Sequence, residues 1–579
     1  MVRPHQELRP SQFITTYGPG SILETRSGPV VPKVMNELFT NIGRPPSDFE
    51  ITDERLRRAA LGGARIARVP SNAELSAPAD DVIYPTLPFP FWSLCTNHGT
   101  DQILYSSDRG CPRCAAVGAP NGREKAGREA IRFVLACPAG HLDDVPWQRL
   151  VHGPASGCQP HHYVWRGGGR ALRFVTIECP DCHAIQNFGN AYARPWPCSS
   201  RLPETGARRP AQSTCARDAR MHQRGAANVH IADKVSALTI VDMPARLHNV
   251  LNDPRTLAIA ATLRRHDLLT RDTFLRDLRE EQIPDAAIDL VERSDWNRVL
   301  DALDQLGGGG QPRPLKVEEF ERLQNAAAHG APAVPSAQPG APPLFEVRLG
   351  GVRRFTGPAG NVTFRVTPVS RLRMVTVQTG YRRVVTTGPD VVSTMFAWGG
   401  GNWYPGVELF GEGIFLDIPD GELEPSGSRA NTWHARSAQD ADTQQAERDH
   451  PVHVWWHTLS HRLLRTLSVD SGYSSAAIAE RTYLITTPLG ARGALLLYTV
   501  QPGGDGTLGG LMALVEHFWH ILTSALADLA DCSNDPLCAE APRTGAPGAA
   551  CYSCLLASET SCEHRNLGLD RLLLLDNPP

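Results

Sequence analysis

The sequence predicts a multidomain α+β protein, with a cysteine-knuckle-rich N-terminal half, a helical middle and a mixed α/β C-terminal domain closed by a cluster of four cysteines. Three observations lead there. Nine of the fourteen cysteines fall between Cys95 and Cys215, five between Cys532 and Cys562, and none between those clusters. From Pro244 to Leu306 apolar residues recur at helical spacing, as in Leu263, Leu268, Leu269 and Phe274, then Leu275, Leu278, Ile283 and Ile288. From Phe345 to Val385 short runs alternate apolar with polar, as in Val362-Thr363-Phe364-Arg365-Val366, which is the period of a strand with one buried face.

In chain order these signals divide the sequence into six segments. Residues 1–90 mix short apolar runs with Pro and Gly and read as an ordered N-terminal arm, stiffened at Tyr17-Gly18-Pro19-Gly20. Residues 91–225 carry the first cysteines between short strand-like runs such as Ala171–Ile177, and residues 226–306 are helical. Residues 307–343, from the Gly307–Gly310 run to the Ala/Pro/Gly-rich stretch ending at Pro343, read as a linker around a short helical piece. Residues 344–450 form an arginine-rich β region, and residues 451–579 a mixed domain. In this last segment His453–Leu467 reads as a helix, Tyr483–Thr486 and Ala494–Val500 as strands, and Leu511–Leu529 as a long amphipathic helix.

The cysteine spacing identifies the chemistry. Cys111/Cys114, Cys179/Cys182 and Cys551/Cys554 are C-x-x-C pairs, the spacing at which two thiolates of one tight turn grip a tetrahedral Zn2+. A disulfide framework would require an exporting signal. Met1–Thr16 lacks the apolar core of one and no segment approaches a membrane span, so reduced thiols in the cytoplasm are expected. Cys95, His98, Cys111 and Cys114 are assigned to one ribbon-like site. Cys179, Cys182 and Cys198 form a second, with Cys158 or Cys215 as the fourth ligand. Cys137 and His141 are either ligands together with Cys158 or buried side chains. These donor sets are those of structural zinc, because a catalytic ion keeps an open position beside a general base.

Charge and absent motifs narrow the function. The net charge is −3, yet residues 346–389 hold Arg348, Arg353, Arg354, Arg365, Arg371, Arg373, Arg382 and Arg383 against the single acid Glu346. This is read as a DNA-binding face that contacts the phosphate backbone without sequence readout, with Arg201, Arg208, Arg209, Arg217, Arg220 and Arg224 as a second patch. The following stretch, including Glu408, Glu412 and Asp417, is acidic. No Gly-Lys pair occurs anywhere, which excludes a Walker A lysine and an autonomous ATPase of that type. The Gly503–Gly510 run lacks that lysine and reads as a turn. An enzymatic alternative is a metal-dependent hydrolase or nuclease built on His457, His461 and Glu480. The two histidines, four apart on one helix face, more simply read as packing.

The C-terminal motifs carry a resemblance. His457-Thr458-Leu459-Ser460-His461, Gly472-Tyr473-Ser474, Glu480-Arg481-x-Tyr483 and Asp505–Gly510, followed by Cys551-Tyr552-Ser553-Cys554, Cys562 and Leu569-Asp570-Arg571, together resemble the MrfA-like zinc-binding domain. That domain closes certain DNA helicases and also occurs in stand-alone proteins. Arg9-Pro10-Ser11-Gln12, Tyr17–Gly20 and Gly140-His141-Leu142-Asp143-Asp144-Val145-Pro146-Trp147 resemble the stand-alone members that serve the DISARM anti-phage system. The resemblance implies a non-enzymatic subunit that binds a separate DrmA-like helicase and DNA. It also implies Cys538, Cys551, Cys554 and Cys562 as zinc ligands, with Cys532 either spare or in the place of Cys538.

Overall fold

A computed structural model of the chain describes residues 8–78, 81–116, 128–154, 156–167, 171–206, 213–239, 247, 250–251, 253–306, 314–334, 343–357, 360–385, 388, 390–419, 421–440, 442–470, 477–487, 490–501, 510–527, 529–541, 548–558 and 560–579. The Gly472-Tyr473-Ser474 motif, Arg208, Arg209 and most of the Gly503–Gly510 run lie outside them. The chain forms two compact units drawn from discontinuous segments rather than from consecutive stretches of sequence. The first comprises Met1–Thr52, Leu61–Ser236 and Thr376–Val407, and the second Asp53–Ala60, Ala237–Val375 and Glu408–Pro579.

The first unit is built on small antiparallel sheets. Its six-stranded sheet runs in the order Ile185–Asn187, Thr176–Glu178, His162–Arg166, Asp101–Ser106, Trp92–Cys95 and Arg128–Ala130. Alternation sends Leu104, Tyr163 and Trp165 to one face, where they pack with Phe133, Trp147 and Phe188. Ile103, Tyr105 and Val164 go to the other, beside Cys95 and Cys111. A four-stranded sheet orders Leu142–Asp144, Phe133–Ala136, Asp218–Gln223 and Trp196–Pro197. The strand expected over Ala171–Ile177 begins later, at Thr176, because Leu172–Phe174 closes a 3-10 turn. The N-terminal arm is ordered by close backbone approach. Gly20 has φ +82° and a Cβ there would lie 2.7 Å from the Tyr381 ring.

Of the segment 226–306 expected to be helical, Ile231–Leu238 is instead a strand, and the helices follow it in the second unit. Pro254–Arg265, Arg271–Glu280, Asp285–Arg293 and Trp296–Leu306 bury Leu263, Phe274, Leu278, Ile288, Val291 and Val299 in a shared core. The main sheet orders Ala331–Val334, Phe345–Val347, Gly360–Arg382, Gly401–Asp417, Gly490–Gln501 and Ile478–Thr487, the third and fourth strands contributing residues 360–375 and 408–417 to this unit. Period-two alternation again decides the faces. Ile414, Leu416, Leu495 and Leu497 meet Trp455, Leu459 and Leu463 of the Pro451–Asp470 helix, while Phe415, Leu496 and Tyr498 meet Phe320 and Leu323 of the Leu315–His329 helix. Residues 315–329, expected within a linker, are therefore a core helix. The helix expected over Leu511–Leu529 is interrupted by a 3-10 turn at Val515–His517.

Candidate metal centres

Five clusters of four donor side chains appear among the described residues, three in the first unit and two in the second. In the first, strand Trp92–Cys95 ends on Cys95, the next turn supplies His98, and Cys111 and Cys114 flank the start of the Pro112–Ala116 helical turn. His98 Nε2 lies 3.2 Å from Cys111 Sγ and 3.4 Å from Cys114 Sγ, and Cys95 Sγ lies 3.7 Å from Cys114 Sγ. Burial pushes the Cys95 thiol up to about 12.

The second cluster joins Cys158, Cys179 and Cys182 to His152, a residue the sequence reading missed. Cys158 and Cys179 Sγ are 3.8 Å apart. His152 ends the Trp147–His152 helix with Nδ1 on the Gln148 carbonyl at 3.1 Å, and its Nε2 is buried without a hydrogen-bond partner. A carbonyl partner on Nδ1 fixes the proton there and leaves Nε2 as a free lone pair facing the three sulfurs.

Cys198, expected in that second site, belongs instead to a third cluster with Cys137, His141 and Cys215. The reason is topological. Cys198 follows Trp196–Pro197, which pairs with Asp218–Gln223, and that strand pairs with Phe133–Ala136, which runs into Cys137. Cys198 Sγ is 3.4 Å from Cys137 Sγ and 3.5 Å from His141 Nδ1, and burial pushes its thiol up to about 12.

In the second unit Cys532, Cys538, Cys551 and Cys554 converge. Sulfur separations are 3.4 Å for Cys532–Cys551 and 3.7 Å for both Cys538–Cys554 and Cys551–Cys554. Burial raises the Cys551 thiol, but Cys532 and the N–H groups of Ser553 and Cys554 outweigh it and bring it to about 7. Cys532 is thus a member and Cys562 is not, a correction to the expected ligand set. The Pro451–Asp470 helix, carrying His457 and His461, and the Ile478–Thr487 strand, carrying Glu480, gather Cys562 into a separate, buried group. Glu480 is pushed up by burial, yet His457 and His461 hold it well below the usual carboxylate range. Burial and Glu480 push the Cys562 thiol well up.

The sulfur geometry fits a tetrahedral ion. Zinc–sulfur bonds of ~2.3 Å place tetrahedral sulfurs about 3.8 Å apart, whereas a disulfide needs ~2.05 Å. All fourteen cysteines are free thiols here.

The arginine-rich stretch behaves differently from the expected DNA face. Arg365 is buried and ion-paired with Asp417 at 2.6 Å, and Arg373 is buried against Glu408 at 2.8 Å. Glu408 and Asp417, of the acidic run that follows in sequence, lie on the neighbouring strand and neutralise these two arginines across the sheet. Arg382 is partly buried on Asp233 at 2.8 Å. Arg383 is fully buried and donates to the carbonyls of Gly20, Gly140 and Val229 at 2.7, 2.8 and 2.6 Å. These four arginines hold the fold together. Arg348, Arg353 and Arg354 are exposed and Arg371 is partly so. In the other basic patch Arg201 pairs with Asp143, Arg217 with Asp390 and Arg224 with Glu24.

Comparison with known proteins places these clusters. Residues 9–231 match a domain of unknown function, DUF8724, which spans the first three clusters. Residues 459–555 match the MrfA Zn-binding domain, which contains Cys532, Cys538, Cys551 and Cys554 and stops short of Cys562. The DISARM protein DrmB of Bacillus paralicheniformis is 27% identical over 530 residues, covering 85% of this chain and 89% of its own. The chain is similar to DrmB over most of its length. A crystal structure of the DUF1998 helicase MrfA bound to DNA aligns with 40% of this chain and 25% of its own, at 13% identity and a TM-score of 0.21, too low to carry an argument. The chain thus spans about a quarter of that helicase. Among the described residues no helix is long and apolar enough to cross a membrane.

Proposed function

We propose that the chain is a non-ATPase accessory subunit of a cytoplasmic anti-phage defence complex, binding a DrmA-like helicase and the phosphate backbone of DNA. The observation that carries this reading is the similarity to the DISARM protein DrmB, which extends over 89% of that protein and so concerns the whole architecture rather than one module. The lack of any Gly-Lys pair agrees with a partner supplying ATP hydrolysis.

Zinc is a structural ion in this reading, held by the Cys532 cluster and by the three clusters of the first unit. When bound it cross-links the turns that carry its ligands. DNA contact falls to the exposed Arg348, Arg353 and Arg354, with Arg371 on the strand of residues 360–382. The hydrolase alternative is disfavoured by access, since His457, His461 and Glu480 are each 0% exposed.

The test is DNA-stimulated ATP hydrolysis by the helicase with and without this protein. Wild type is expected to raise DNA affinity. The Arg348→Ala/Arg353→Ala/Arg354→Ala variant should still bind the helicase and lower the log–log salt slope of DNA binding by about 3, one phosphate per arginine. A wild-type protein that neither binds the helicase nor changes its activity would overturn the reading.

A further inference from the structure

Three elements bring four donors together in the interior of the second unit. Helix Pro451–Asp470 presents His457 and His461 one turn apart on the same face. Strand Ile478–Thr487 supplies Glu480, whose N–H donates to the Ser561 carbonyl at 2.9 Å and so sets that strand beside Cys562. All four side chains are buried. His457 Nε2 is 2.8 Å from Glu480 Oε1 and 3.3 Å from Cys562 Sγ, and His461 Nε2 is 3.2 Å from Glu480 Oε1.

The hydrogen bonds around the cluster fix which atoms point inward. His457 Nδ1 donates to the Gly568 carbonyl at 3.1 Å and His461 Nδ1 to the Leu555 carbonyl at 2.9 Å. A neutral imidazole with its proton on Nδ1 offers a bare lone pair at Nε2. Two such lone pairs therefore converge with a carboxylate oxygen and a sulfur. The Ser460 hydroxyl holds the other carboxylate oxygen, and the N–H groups of His564 and Asn566 donate to Cys562 Sγ at 3.3 and 3.2 Å. N–H donors on sulfur and carbonyl acceptors behind imidazoles are the outer contacts that orient metal ligands. Without a cation the Glu480 carboxylate is a buried charge that only a protonated imidazole can balance, and burying such a pair carries a large desolvation cost.

We propose that His457 Nε2, His461 Nε2, Glu480 and Cys562 Sγ form a closed site for a divalent transition metal, with Zn2+ the ion suited to this nitrogen, oxygen and sulfur set. This site is separate from the Cys532, Cys538, Cys551 and Cys554 cluster, and the matched zinc-binding segment begins after His457 and ends before Cys562. Four protein donors fill a tetrahedron and leave no position for water, so the ion is a staple. It ties the Pro451–Asp470 helix and the Ile478–Thr487 strand to the C-terminal segment that follows Leu555. The inference is independent of the accessory-subunit reading.

Crystals of the full chain purified with Zn2+, measured either side of the zinc absorption edge, test it directly. The expected result is an anomalous peak between His457, His461, Glu480 and Cys562, in addition to one at the Cys532 cluster. Metal analysis of folded Cys562→Ala and Glu480→Gln proteins should then show one equivalent per chain fewer than wild type. A peak at the Cys532 cluster with none at the histidine site overturns the proposal. No zinc at either position after reconstitution also overturns it. If a variant fails to fold, the wild-type anomalous map alone decides.

Discussion

His230 shows how much a single half-buried side chain can bind the protein to a pH range. Its ring lies 4.9 Å from that of Tyr381. Burial, with the Arg383 charge nearby, depresses its pKa from the ordinary 6.5 to about 3. A base whose pKa is lower in the folded state binds fewer protons folded than unfolded, so its contribution is complete above the unfolded value and is lost as pH falls from about 6.5 toward about 3. The slope is about 1.4 kcal/mol per pH unit in that window. The denaturation midpoint of the first unit should therefore fall between pH 7 and pH 5.5, and a His230→Leu variant should lose part of that slope. Equal slopes in the two proteins would show that His230 is not the titrating group.

At the scale of elements, the strand pair of residues 360–375 and 408–417 explains what the sequence did and did not disclose. Alternation of apolar residues revealed the first of these strands but not the second, whose residues stood out only as acidic, and helical spacing revealed the Pro254–Leu306 helices and the Pro451–Asp470 helix. Register is set by partners distant in sequence and is invisible to local patterning. The Arg365–Asp417 pair was accordingly read as two oppositely charged surfaces, and Cys198 and Cys562 were given to the wrong clusters while C-x-x-H and C-x-x-C contacts within one turn were legible. The Leu315–His329 helix was obscured by its glycine- and proline-rich flanks, although Phe320 and Leu323 are its buried face. The strand pair carries a quantitative expectation. Arg365→Met alone strands the buried Asp417 carboxylate, which Gln324 also contacts at 3.0 Å, and should cost about 3–5 kcal/mol. Arg365→Met with Asp417→Leu should recover most of that loss. A double-mutant cycle by chemical denaturation checks it, and additive losses would mean the pair is not coupled.

For the whole molecule, the two units depend on metal to different degrees, because their cores differ in kind. The second unit buries a large continuous cluster that includes Trp433, Trp455, Trp456, Leu459, Leu497 and Phe518 on one face of its main sheet. The first unit packs Phe133, Trp147, Trp165 and Phe188 in a core of its own between strands of two to six residues, but beside Cys95 and Cys111 only Ile103, Tyr105 and Val164 are buried. The turns that carry the ligands lie at the ends of these short strands, and a tetrahedral ion contributes roughly 10–16 kcal/mol in apparent binding terms to modules of this type. Chelation at neutral pH should therefore release amide protection first around Trp92–Ala116 and His152–Cys182. Residues Ile414–Asp417 and Leu495–Leu497 should keep theirs, since the sheet they belong to is covered on both faces by apolar side chains. Hydrogen exchange read by mass spectrometry, before and after treatment with a zinc chelator, separates the outcomes. Simultaneous loss in both regions would mean that the metal clusters and the large core unfold as one cooperative body, and unchanged protection around Cys95–Cys114 would mean that those thiols hold no structural ion.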